Sequence, residues 1–388
     1  MKASTFTIEK TIIYILSLIA FIGVIDTSFL ISIISPYARK LGASEFEAGL
    51  IAGTYSIVAI PASIFAGIIM DRIGRWRLLR LGLTLDFISM LLYYLSFNPL
   101  SLFLVRVIHA IGGSMLFPSG IALVARYGRE RLAPGVSIFL IFIALSVVSG
   151  SLTSASIVSV FGFKPVFLLL AGIIGIGGIL STIIPNYLEV PEMTGRKINF
   201  RDMVLYRDKV IASISLIFTL YVSFGFIVGG YPSLLQDILG ITEEKASSLL
   251  GMYIGISTLI SIPVMYISGY LIQRGLLKQV TFTGLATLIL SMFILLTNIT
   301  VINHMISSAI LGISIGFLMV SSTFYAVDVD DSVRGVTSAL HQTFNILGVA
   351  IGAPLSGFIV IFMGKTMFIV PLILSLLCSL LIILISRG

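Results

Sequence analysis

The chain has 388 residues, of which 57% are hydrophobic and only 11% charged, with a formal net charge of +7 and a mean hydropathy of +1.12. Such a balance excludes a water-soluble domain and points to an all-α polytopic membrane protein, whose positive charge is accounted for by anionic lipid headgroups without any nucleic acid. A single cysteine, Cys378, excludes an intrachain disulfide and a cysteine-built metal cluster. Neither a nucleotide-binding glycine loop nor a Ser/His constellation marks an enzyme, so no cofactor and no metal are expected.

Apolar stretches of about 20 residues, enough to cross a hydrocarbon core of about 30 Å, begin near residues 11, 46, 76, 99, 134, 164, 210, 246, 279, 302, 336 and 366. The leader MKASTFTIEK is not followed by a small-residue cleavage site, so the first stretch is expected to stay as a helix. It carries Asp26, about 22 Å from its inner end at 1.5 Å per residue. Between the second and third stretches lies GIIMDRIGRWR, residues 67–77, where Gly67 and Gly74 permit close approach and a tight loop. Asp71 in that turn can accept charge-assisted hydrogen bonds from Arg72, Arg75 or Arg77, which predicts a cytoplasmic latch. Asp86 lies about 15 Å into the third stretch. The fourth reads RVIHAIGG from Arg106, which places Arg106 about 10 Å from the outer end and His109 one turn further on.

The fifth stretch presents small residues at Ser146, Gly150, Ser151, Ser154 and Ala155. The only long connection, residues 186–209, is rich in both signs of charge and reads as a cytoplasmic linker between residues 1–185 and 210–388. The two halves repeat: Ile60-Pro61, Gly67 and Asp71-Arg72 recur 202 residues later as Ile262-Pro263, Gly269 and Gln273-Arg274. Gly150 and Gly162 recur as Gly352 and Gly364, and Arg131 corresponds to Arg334. With the N-terminus inside, 18 of the 24 Lys and Arg residues fall on inner loops and ends, 5 on outer loops, and Arg106 within a span. Both termini are therefore expected in the cytoplasm.

The residues 67–77 resemble the loop between the second and third helices of the major facilitator superfamily, with Gly67, Asp71, Arg72, Gly74, Arg75 and Arg77 on that family's positions and Trp76 where a basic residue is commoner. Arg106, Gly112 and Pro118 fall on its second motif, with Ala110 and His109 departing from it. The fifth stretch occupies the place of the signature of proton-driven drug exporters, without its central proline. The resemblance implies twelve transmembrane helices in two six-helix bundles with pseudo-two-fold symmetry, a plasma-membrane location, and a cleft lined by helices one, four, seven and ten that opens to each side in turn.

Charges are costly inside a bilayer, and of 17 carboxylates only Asp26 and Asp86 lie deep in a span. Asp26 and Arg106 share nearly the same depth, so they are expected to pair when the carboxylate is ionised and to separate when it is protonated, with His109 as a neutral hydrogen-bonding neighbour or relay. A packing role for Asp26 and a carbonyl-capping role for Arg106 are the plain alternatives. Arg106 could also grip a substrate carboxylate or phosphate. In the second half Tyr221, Tyr231, Tyr325 and Asn345 are substrate-binding candidates, because a phenol facing lipid would leave its hydroxyl unpaired. His304 and His341, at span ends, are expected to be solvated. Three function classes follow: a secondary active transporter of a small organic solute, coupled to protons by symport or antiport, with a multidrug exporter as its variant; an uncoupled facilitator; and a membrane sensor. A monomer suffices for the first two.

Overall fold

A computed structural model describes residues 2–128, 131–188, 204–241 and 243–385. The middle of the expected linker, 189–203, lies outside the described residues. The described residues form α-helices joined by short turns, with no strand among them. In the first half these are α1 (Lys2–Lys40), α2 (Glu45–Ile73), α3 (Arg75–Leu95), α4 (Pro99–Tyr127), α5 (Leu132–Phe161) and α6 (Phe163–Leu188). The second half has α7 (Arg207–Gly229), α8 (Tyr231–Leu239), α9 (Glu243–Gln273), α10 (Leu277–Thr297), α11 (Val301–Val327), α12 (Arg334–Met363) and α13 (Ile369–Ile385). Eleven described segments are long and apolar enough to cross a membrane, and the last of them, Arg334–Ile385, holds both α12 and α13.

Local chemistry sets the helix ends. Ser44 opens α2 with a capping box, its hydroxyl accepting from the Glu47 backbone N–H while the Glu47 carboxylate accepts from the Ser44 N–H at 2.8 Å. Asn98 caps α4 ahead of Pro99, and Thr300 caps α11. The turns at Gly74 (φ 97°), Gly162 (φ 78°), Gly275 (φ 83°) and Gly364 (φ 52°) use the left-handed region that favours glycine. Gly162 and Gly364, paired by the sequence repeat, thus play the same backbone role.

Helix starts fall within three residues of the sequence expectation, with two differences. Helix α1 begins at Lys2 instead of near residue 11, because KASTFTIEK contains no glycine or proline to stop it. The short α8 was not expected. The Gly229-Gly230 pair interrupts α7, Pro232 sits in the first turn of α8, and Gly240 (φ 62°) ends it.

The described residues cluster into two compact units. One takes those within Met1–Glu130, Ile138–Met203 and Asp330–Thr343, the other those within Arg131–Ser137, Val204–Val329 and Phe344–Gly388. In the first unit α4 packs against α1, α2 and α3, and α6 covers α3; in the second, α11 packs against α7, α9 and α10. Small residues set these approaches. A methyl group on Gly150 would lie 2.5 Å from the Ser28 Cβ, and one on Gly352 would lie 2.5 Å from the Val222 carbonyl oxygen. Gly67 faces Gly335 and Ala339 at the start of α12, while Gly269 faces Ala133 and Ser137 at the start of α5. Each residue of the second contact is offset by 202 from its counterpart in the first, so the repeat holds in packing as well as in sequence.

Candidate functional site

The interior of the first unit holds the charged groups that the sequence placed inside the membrane. Asp26, Asp86 and His109 are completely buried, and Arg106 is 3% exposed. His109 Nε2 lies 3.1 Å from Asp26 Oδ2, and Arg106 lies 3.4 Å from the other ring nitrogen, Nδ1, which also meets the Tyr93 hydroxyl at 3.3 Å. A guanidinium can only donate, so Nδ1 must accept and Nε2 must carry the ring proton and donate it to Asp26. Geometry therefore assigns a neutral imidazole that donates its Nε2–H to the Asp26 carboxyl. The second Asp26 oxygen, Oδ1, accepts from the Thr27 backbone N–H and, at 3.3 Å, from the Thr27 hydroxyl.

Direct pairing of Asp26 with Arg106 was the sequence expectation. The structure instead inserts His109 between them, because His109 is one turn from Arg106 on the same face of α4 and its ring spans the distance to α1. Arg106 packs over the Tyr55 ring at 4.9 Å, and its Nε is buried without a hydrogen-bond partner. Tyr55 and Tyr93 both present edges to the His109 ring.

Asp86 joins this group from α3. Its carboxylate, an Asp26 oxygen and an His109 nitrogen lie within 4.8 Å of one another, and Arg106 meets the other nitrogen of His109. Neither Asp86 oxygen has a hydrogen-bond partner. Two glycines of α4 make room: a methyl on Gly112 would lie 2.3 Å from Asp86 Oδ1, and one on Gly113 would lie 2.3 Å from the Tyr55 hydroxyl. Among the deep carboxylates Asp86 ranks second to Asp26 on sequence alone. Its depth was readable, but the side of α3 that meets α4 was not.

In the turn after α2, Arg75 is buried and pairs with Asp331 at 3.3 Å, also donating to the Asp331 carbonyl at 3.2 Å. Arg334 pairs with the same carboxylate. Burial pushes the Asp331 carboxyl up, but Arg75 and Arg334 outweigh that and hold it below the usual carboxylate range. Of the neighbouring arginines open to Asp71, Arg75 meets Asp331 instead, at the turn where Gly74 starts α3. Asp71 Oδ1 lies against Gly335, its Oδ2 is buried without a partner, and Arg72 and Arg77 are exposed.

In the second unit Tyr221 hydrogen-bonds Asn345 and Tyr325 hydrogen-bonds Thr281, all within half-buried surroundings for the tyrosines. Tyr231 is fully buried at the start of α8, where its hydroxyl meets His304 Nδ1 at 2.8 Å. His304 Nε2 reaches the Leu249 carbonyl at 3.0 Å, and Tyr253 bonds Ser307 at 2.7 Å. His304 and His341, expected to be solvated, are both completely buried: the first is held by Tyr231, and the second stacks on Phe117 at 5.9 Å. Helix ends can lie inside a bundle when neighbouring helices extend past them.

Two compact helical units, membrane-length apolar helices and a charged network buried inside one unit define a multi-pass membrane protein of the two-bundle transporter class. The chain belongs to the major facilitator superfamily, whose family model matches residues 16–345. It is 23% identical over 366 residues to the uncharacterized MFS-type transporter MJ1560 of Methanocaldococcus jannaschii, covering 92% of this chain and 93% of that one. Among solved structures, the human organic anion transporter MFSD10 (TETRAN) superposes with a TM-score of 0.76 at 14% identity, covering 96% of this chain and 99% of that chain. The transporter FucP, in the outward conformation, superposes with a TM-score of 0.75 at 15% identity, covering 96% and 97%. These likenesses carry the fold.

Proposed function

We propose that this protein is a secondary active transporter that moves a small organic solute across the cell membrane by alternating access, coupled to protons through Asp26, His109 and Arg106. The observation that carries the reading is the fully buried carboxylate–imidazole–guanidinium chain, a polar arrangement whose cost inside a membrane is hard to account for by packing alone. Protonation of Asp26 removes the negative charge that accepts the His109 Nε2–H and so weakens the α1–α4 connection. Ionisation restores it. A solute-driven change of state at these helices then changes proton affinity, which is what coupling requires.

Arg106 serves this network as its fixed cation, since Tyr55, Tyr93 and His109 surround it. The solute is met from the second half, where Tyr221 with Asn345 and Tyr325 offer hydroxyl and amide groups beside aromatic surface. The turn bearing Gly67, Asp71, Arg72, Gly74, Arg75 and Arg77 acts as a latch against the start of α12, with both termini on the cytoplasmic side and a monomer as the working unit.

The test is solute-evoked proton movement in proteoliposomes carrying an internal pH dye, comparing wild type with Asp26→Asn. Organic anions lead the solute panel because the similar human protein is described as an organic anion transporter; cations and neutral solutes follow. Proton movement in wild type and its loss in the variant is the expected result. Solute flux without proton movement, or normal coupling in the variant, overturns the proposal.

A further inference from the structure

We propose that Asp86 is a second proton-binding site in this network, and that in the conformation described here it holds the transported proton. This inference deepens the proton-coupled reading. It stands on a count of partners inside the first unit. Asp26 is fully engaged, accepting from His109 through one oxygen and from Thr27 through the other, donors that favour the charged form of this carboxyl over that of Asp86. Arg106, the neighbouring cation, is matched in charge by Asp26 through the His109 bridge. His109 is neutral because its Nδ1 accepts from Arg106.

That leaves Asp86 with no cation to balance it and no donor on either oxygen, in a completely buried position. A buried ionised carboxylate without a hydrogen-bond donor is costly. A proton on Asp86 removes the charge and makes the local sum neutral: one guanidinium and one carboxylate. The titratable groups facing Asp86 are Asp26 from α1, His109 from α4, Tyr55 from α2 and Tyr93 from α3 itself, with Arg106 one contact further on, behind His109. Of these, only the second carboxyl can exchange a proton with it without creating a like-charged pair.

The Asp86 and Asp26 carboxyl oxygens lie within 4.8 Å of one another and neither Asp86 oxygen is hydrogen-bonded, so transfer requires the two carboxyls to close to hydrogen-bond distance. Transfer from Asp86 to Asp26 breaks the Asp86 O–H bond and forms an Asp26 O–H bond, and the His109 donor then loses its charged acceptor. Asp86 would thus store the proton and Asp26 would convert its arrival into a change at α1 and α4. Gly112 is the positioning residue, since any side chain there displaces the Asp86 carboxyl.

Infrared difference spectroscopy of the reconstituted full-length protein tests the site directly, through the C=O stretch of a protonated carboxyl at neutral pH and its shift in deuterium oxide. Wild type is expected to show the band, Asp86→Asn to lose it, and Asp86→Glu to move it. Persistence of an unchanged band in both Asp86 variants, or its absence from wild type, overturns the proposal. Sodium-dependent appearance of an ionised carboxylate band in place of the proton would likewise overturn it in favour of a metal cation. The readout is independent of transport. A band assigned to Asp86 in a protein that moves no protons would sink the coupled-transport reading and leave the Asp86 site standing, while normal proton movement with no Asp86 band would do the reverse.

Discussion

At the scale of single residues, the network depends on Gly112, where nothing can be added. Gly112→Ala would bring a methyl within 2.3 Å of Asp86 Oδ1, 2.9 Å of the Leu85 Cβ and 3.1 Å of the Gly82 carbonyl oxygen. Two of these neighbours cannot swing away, so the expected cost is about 1–3 kcal/mol from overpacking. A thermal melt in detergent checks it, with Gly178→Ala as the control, because a methyl there meets nothing within 4 Å. His109 is as exposed to substitution in another sense. Its replacement by alanine leaves two buried charge-bearing side chains, Asp26 and Arg106, each missing a hydrogen-bond partner, a state that costs more than losing an ordinary hydrogen bond. Sequence inspection found Asp26, Arg106 and His109 from their depth and rarity. It undervalued Asp86, because distance along a helix follows from counting residues whereas the neighbour a side chain meets depends on how α3 rolls against α4.

At the scale of elements, the turn between α2 and α3 is bound to the start of α12 by charge. The Asp331 carboxyl titrates below its ordinary range in the folded protein, so its contribution is complete above the unfolded-chain value of about 3.9 and is lost as pH falls through the lower folded value. Neutral and mildly basic conditions leave it intact. Arg75→Gln removes both hydrogen bonds to Asp331 and is expected to cost about 2 kcal/mol at neutral pH. The difference in stability between the variant and wild type should shrink at pH near 3, which melts across a pH series would reveal; a pH-independent difference would contradict the ion-pair account. Gly67 and Gly269 make the same backbone approach in the two halves, yet Gln273 stands where Asp71 does, so only the first copy carries an acid beside its contact.

At the scale of the whole molecule, the two units share architecture and differ in chemistry. The first buries two carboxyls, a histidine and an arginine together; the second buries Tyr231, Tyr253, Ser291, His304 and Ser307 in a network without a formal charge. His304→Gln is therefore expected to lower thermal stability while leaving the ratio of protons to solute unchanged, whereas substitutions at Asp26 change that ratio. Parallel solute and proton fluxes in proteoliposomes separate the two outcomes, and a changed ratio in His304→Gln would move part of the coupling machinery into the second unit.

What the sequence by itself determined was the membrane class, the run of crossings, the repeat at an offset of 202 and the short list of charges worth following. Those properties depend on local composition and spacing, which bilayer thickness and helix rise convert directly into structure. Only the tertiary structure decided that His109 bridges Asp26 and Arg106, that Arg75 turns to Asp331, that His304 and His341 are buried, and that Asp86 completes the site. Each of these depends on the rotation and lateral approach of neighbouring helices. Glycines set that approach at distances where one methyl group decides the outcome, and helices that are apolar on nearly every face leave no stripe from which rotation could be read.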